Sequence, residues 1–158
     1  MVQGAHLTTE VEAFLAEVLP TFTEAEIAIH DGNATPRFEL WSRNDPVIVF
    51  GAARTARGWE EVGPVFEWLA ERFTKCESYQ FELLAAGASG DLAYIAGIEH
   101  TTASILGAPA QAYQLRSTTV FRREDGQWKA VHRHADPVPG DEGAPAQLRR
   151  IKAGSENR

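Results

Sequence analysis

Apolar residues recur at helical spacing from the start of the chain. Val11, Phe14, Leu15, Val18 and Phe22 fall on one stripe, behind a capping box formed by Thr9 and Glu12. Pro20 is expected to kink or split this helix. A second piece then carries Phe22, Ala25 and Ile29 and ends near Gly32, which suits the position just past a helix. Thr35-Pro36 reads as the cap and first turn of a short helix with Phe38 and Trp41 on its apolar side. Asn44-Asp45-Pro46 breaks it, and Val47 to Phe50 reads as a short strand. From Gly58 to Phe73 the helical period returns, with Trp59, Val62, Phe66, Leu69 and Phe73 on one stripe.

After Cys76 the period changes to two. Tyr79, Phe81, Leu83 and Ala85 alternate with Gln80, Glu82, Leu84 and Ala86. A turn at Gly87 to Asp91 leads to a long strand, Leu92 to Ser104, closed by Gly107-Ala108-Pro109. Another strand covers Gln111 to Arg123, and Asp125-Gly126 is a strong hairpin signal before a last strand, Trp128 to Ala135. Helices first and an antiparallel meander afterwards predict an α+β fold, with the helices packed on one face of a curved sheet. The strands are apolar on both faces, so the outer face predicts a second layer, most simply a dimer partner.

Composition narrows the function classes. The 158 residues are 44% hydrophobic and 23% charged, which suits one folded domain and not a disordered chain. The net charge of −7 argues against binding a nucleic-acid backbone. Glu10, Glu12, Glu17, Glu24, Glu26 and Asp31 all precede the first cation, Arg37, so the first quarter is expected to be an acidic solvated face. Cys76 is the one cysteine, which leaves no intrachain disulfide and no cysteine-based zinc site. No apolar run approaches the roughly 18 residues of a membrane span, and no signal-peptide pattern opens the chain, so the cytoplasm is the expected address.

Two segments carry a resemblance. Leu115 to Asp136, containing Asp125-Gly126-Gln127-Trp128 and His132-Arg133-His134-Ala135-Asp136, resembles the C-terminal hairpin of the SnoaL-like proteins. Trp41 to Gly51, with Asp45-Pro46-Val47 and Phe50-Gly51, resembles the entry to that family's first strand. The SnoaL-like proteins belong to the nuclear transport factor 2-like superfamily, with ketosteroid isomerases and scytalone dehydratase. The end of the chain, 138–158, is rich in Gly, Pro, Ala and charge and reads as a loose tail with a short helix around Gln147 to Lys152, and the resemblance implies a cone-shaped α+β barrel over residues 8–137. It also implies a deep apolar pocket for a small hydrophobic molecule, chemistry without metal or cofactor, and a homodimer through the outer sheet face.

His132-x-His134-x-Asp136 is the first candidate for chemistry. At i, i+2 and i+4 of a strand the three share a face with Trp128 and Ala130. They could form an acid/base relay, with His134 moving the proton and Asp136 or His132 orienting it. They could also chelate a metal with Asp136 or Glu99 as the further ligand, or line the pocket wall as hydrogen-bonded histidines. Asp45 is the second candidate. In ketosteroid isomerases an Asp-Pro-Val at this place supplies the general base, and Asp45-Pro46-Val47 matches it; the alternative is an aspartate that starts a turn. The positions matching the isomerase oxyanion donors fall near Ala25 and Thr118, neither of which is an acid, so steroid isomerisation is not expected.

Glu99 and His100 are strand neighbours, and the face of Tyr94 and His100 is expected to turn inward. Arg116, on the face of Gln114, Thr118 and Val120, would bind a carboxylate substrate or pair with Asp45 or Asp136 if it pointed inward, and would be a surface charge if it did not. Trp41, Phe50, Phe66 and Tyr94 are the expected pocket-lining aromatics. The loop Ala52 to Arg57 brings Arg54 and Arg57 to the pocket mouth, where they could gate entry, attract anions or be a plain basic loop. The expected function is therefore a cofactor-free acid/base enzyme of isomerase, cyclase, dehydratase or hydrolase type. The alternative is a non-catalytic ligand-binding or protein-interaction module.

Overall fold

A computed structural model describes residues 9–140 together with 147, 148 and 151. Helix α1 runs unbroken over Thr9–His30, past Pro20. Pro20 is exposed, and the buried stripe of Phe14, Val18, Phe22, Ala25 and Ile29 continues on both sides of it. Burial of those side chains, about 1.5–3 kcal/mol each, outweighs a helix-interior proline's cost of about 3 kcal/mol. The expected split is thus corrected. Helix α2 spans Thr35–Leu40, and its cap is Ala34 and not Thr35. Asn33 supplies the capping oxygen instead, as its Oδ1 accepts the Thr35 N–H at 3.1 Å.

Strand β1 (Ile48–Phe50), strand β2 (Thr55–Arg57) and helix α3 (Trp59–Arg72) follow. The strand β2 replaces part of the expected basic loop. The four long strands are β3 (Phe73–Ser89), β4 (Leu92–Ile105), β5 (Gln111–Glu124) and β6 (Gln127–Pro137). All six strands form one open, curved, mixed sheet in the order β2-β1-β6-β5-β4-β3. All neighbours are antiparallel except β1 and β6. Asp125 (φ 50°) and Gly126 (φ 78°) make the tight turn that their sequence predicts.

The sheet wraps the helices. Phe14 meets Phe121 and Trp128 edge to face at 5.4 and 5.1 Å, and Phe22 meets Phe81 at 5.3 Å. Gly97 is required where β4 passes β3, since a Cβ there would lie 2.1 Å from the Glu82 carbonyl oxygen. The register shifts nearby, between Leu83 and Ala85. A second, smaller cluster of Phe73, Ala103, Ile105, Tyr113, Leu115 and Ala135 closes the far end of the interior. Leu148 is buried against that cluster, and Gln147 accepts a hydrogen bond from Gln111 at 2.7 Å. Ile151 packs against the same cluster, and the other residues after Gly140 lie outside the described residues.

Candidate functional site

The face assignments of the sequence reading turn on one feature of β6. Val120 pairs with His132 and Phe121 with Ala130, so Val131 is an extra residue, a β-bulge. Ala130 and Val131 are both buried, and the alternation restarts one position out of phase. Arg133 and Ala135 therefore point inward, while His132, His134 and Asp136 point outward. The expected placement of those three on the face of Trp128 and Ala130 is corrected. Glu99 lies on the opposite face from His132 and His134, so the metal set that would join them is not assembled.

Several other residues lie where the sequence reading did not put them. Phe50, 38% exposed, stands beside the two outward histidines, edge to face at 5.7 Å from His132 and 5.5 Å from His134. Burial holds the His132 imidazole below its ordinary pKa, and His134 beside it adds to the effect. Tyr94 is 40% exposed on the outer face and lies against Gly87. His100 is also outward, donating from Nε2 to Glu82 at 2.9 Å and accepting from the Gln114 amide at 2.9 Å. Thr118 is outward in register with Ala96 and His134. Arg116 is outward and holds Asp136 through two bonds of 3.0 and 3.2 Å, with both side chains about half exposed. The inward face of β4 is that of Ile95, Glu99 and Thr101 instead.

Asp45 caps α3. Its Oδ1 accepts the Trp59 N–H at 2.9 Å, and Gly58, at φ 81°, turns the chain beside that carboxylate. Trp41 and Phe66 are core residues packed edge to face at 5.2 Å, and neither borders the interior cavity described next.

The interior holds a polar group that the sequence reading missed. Glu26, expected on a solvated face, is 2% exposed and paired with Arg37 of α2. Burial alone would push its carboxyl up; the positive charges of Arg37 and then Arg133 hold it below the usual range. Arg133 grips Glu99 with both terminal nitrogens, at 3.0 and 2.6 Å, and Tyr79 donates to the same carboxylate at 3.0 Å. His30, the last residue of α1, has Nδ1 2.6 Å from the Glu26 carbonyl oxygen and Nε2 2.5 Å from the Tyr113 hydroxyl. A carbonyl only accepts, so Nδ1 carries the proton. Burial pulls the His30 pKa down and keeps the ring neutral, so Nε2 accepts from Tyr113. Burial, then the negative charges of Glu99 and Glu26, push the Tyr113 hydroxyl up, so it stays a donor.

A cavity of about 60 Å³ opens at this group, along the seam between the two apolar clusters. Glu26, His30, Arg37, Tyr113 and Arg133 form its polar wall, and Ile29, Val49, Val65, Leu69, Phe73 and Leu115 its apolar one. The segment Gly51 to Arg54 and Leu148 border it as well. The Tyr113 hydroxyl and the His30 Nε2 lone pair thus meet 2.5 Å apart on the cavity wall, an arrangement able to exchange a proton with a bound molecule. One signal in the sequence points to it. The adjacent apolar pair Ala130-Val131 interrupts the alternation of β6 and marks the bulge that turns Arg133 inward.

Residues 18–139 match the family model of the SnoaL-like domain. No curated protein matches. Among solved structures, a proposed dehydratase of the nuclear transport factor 2-like family from Streptomyces avermitilis is similar at 21% identity and TM-score 0.64, covering 80% of this chain and 97% of that one. A nuclear transport factor 2-like protein of unknown function from Pseudomonas putida gives 20% identity and TM-score 0.61, covering 79% and 87%. The association domain of CaMKII from C. elegans gives 16% identity and TM-score 0.60, covering 82% and 99%. At these identities the likeness is one of fold.

Proposed function

The chain belongs to the SnoaL-like domain family, and from that premise we propose that it binds a small, mostly apolar molecule in the inner cavity and acts on it by acid/base chemistry. The observation that carries this reading is the His30–Tyr113 hydrogen bond, which lies on the wall of the cavity. A ligand carbonyl that enters between the two can take the Tyr113 hydroxyl proton as a hydrogen bond. His30 Nε2, freed by that change, can then accept a proton from the adjacent carbon. The neutral ring is the form that can do so, and Glu26 fixes its tautomer through the main-chain carbonyl. Return of the proton at another atom would isomerise the ligand, and loss of a leaving group would dehydrate it. Both fit the expected enzyme type.

Deuterium exchange tests this directly. Small cyclic and open-chain ketones are incubated with the protein in D2O, and label at the carbon next to the carbonyl is followed. Exchange above the buffer rate is expected for at least one ketone, and Tyr113→Phe and His30→Gln should each slow it by about 10²-fold or more. Exchange that survives both substitutions would overturn the assignment.

The outer face supports a second element of the proposal, a homodimer. Leu84, Leu92 and Tyr94 are 47, 56 and 40% exposed there, and Leu84 lies beside Arg116, His134 and Asp136. An apolar patch with a polar rim is the composition of a subunit contact. On this reading Phe50, His132 and His134 belong to the contact side of the sheet.

A further inference from the structure

We propose that the mouth of the inner cavity recognises a negative charge, so that the cavity takes a small apolar carboxylate whose anionic end docks on Arg54; the inference rests on the cavity being a ligand site. The charges of the cavity wall are otherwise matched inside the protein. Glu26 pairs with Arg37 and Glu99 with Arg133, and both pairs are buried. Arg54 is the remaining charged side chain on the wall, and among the described residues no carboxylate lies within ion-pair distance of it.

Arg54 is also held in place. Its guanidinium lies 4.2 Å over the Trp68 ring, and Arg72 lies 4.5 Å from the same ring. The Gly51 N–H donates to the Arg54 carbonyl at 2.8 Å and closes the turn between β1 and β2. Arg54 Nε is buried and has no hydrogen-bond partner among the described residues. A buried donor left unpaired is unfavourable, and a ligand that pairs it removes that cost. The Nε edge of a guanidinium presents two parallel N–H groups, which match the two oxygens of one carboxylate.

The surroundings select among anions. Arg54 also borders a shallow surface groove with Glu60, Glu61, Glu67 and Glu71 of α3. Their field opposes a dianion such as phosphate more strongly than a monoanion. Ala52, Ala53, Val65, Leu69 and Leu148 supply an apolar lining just inside. The cavity volume of about 60 Å³ limits the apolar part to a short chain.

Isobutyrate and its neutral isostere isobutyramide are the probes. Both are titrated into the protein while the arginine Nε–H signals are followed by NMR, with the Arg54 signal assigned by its loss in Arg54→Met. Methionine keeps an apolar stem over Trp68. A saturable shift of the Arg54 signal with isobutyrate is expected, together with binding about tenfold or more tighter than that of isobutyramide, the scale of one charge-assisted hydrogen bond. Arg54→Met should bring the two probes to within about threefold of each other. Equal binding of both probes at the cavity, with the Arg54 signal unmoved, would overturn the anion inference and leave the ligand cavity standing. If neither probe shifts Arg54 or His30, the cavity reading and this inference fall together.

Discussion

Arg133 and Glu99 meet across the inner face of β5, from β6 on one side and β4 on the other, through two bonds of 3.0 and 2.6 Å. The pair ties together strands that are not neighbours and forms part of the polar interior against which the cavity opens. Breaking it from one side leaves a buried charge without a partner. Glu99→Gln is therefore expected to lower stability by about 3–5 kcal/mol in urea unfolding. The double substitution Glu99→Leu with Arg133→Met should lose less than Glu99→Gln alone, because it removes both charges.

Acid should destabilise the domain through His30. Folding lowers its pKa below the ordinary value of 6.5. Below about pH 6.5 the unfolded chain binds the extra proton and the folded one does not, so stability falls as pH drops until the folded pKa is passed. His132 shifts in the same direction and adds to the slope. Glu26, held below its ordinary 4.5, contributes stability that is present above that value and lost as pH falls through its folded pKa. Urea midpoints measured from pH 8 to pH 4 should show this slope, with the part between pH 7 and 5 reduced in His30→Asn and further reduced with His132→Gln.

Asp45 is expected to act on stability and not on the cavity. Asp45→Ala removes the oxygen that caps α3 and should cost about 1 kcal/mol, while Asp45→Asn keeps an acceptor and should cost less. Ligand binding in the cavity should be unchanged in both, as checked by titration of the variants with a cavity ligand.

The outer face predicts a separable effect. Leu84→Arg puts a charge into the exposed apolar patch, where it breaks no core contact. Light scattering should show the mass fall from dimer to monomer at equal protein concentration, while the unfolding midpoint of the domain shifts by about 0.5 kcal/mol or less. A mass unchanged by Leu84→Arg would place any subunit contact elsewhere.

Periodicity made the fold legible, and a bulge in β6 hid the site. The stripe Phe14, Val18, Phe22, Ala25 and Ile29, the turn at Asp125-Gly126 and the four long strands all follow from local rules that the structure obeys. Facing is a longer-range property. Once Val131 enters β6 as an extra residue, each residue beyond it changes side, so Arg133 enters the interior and His132, His134 and Asp136 leave it. The shift at Leu83/Ala85 does the same to β3, placing Ala86 and Ala88 against the core where simple alternation expects Ala85. The parity of β4 is hidden for another reason. The larger aromatic, Tyr94, faces outward, and the inward side carries Ala93, Ile95 and a buried acid, Glu99, whose partner lies 34 residues away. His30 and Tyr113 are 83 residues apart, and no local pattern links them.

Which histidines a ligand touches is the most direct test of the His30–Tyr113 site. The ring signals of His30, His100, His132 and His134 can be followed by NMR while small apolar acids and ketones are added one at a time. A binding ligand is expected to move the His30 ring, with Nε2 reporting the loss of its bond from Tyr113, and to leave His132 and His134 in place. Shifts at His132 and His134 with an unmoved His30 would contradict that site, and would put the ligand on the outer face of the sheet.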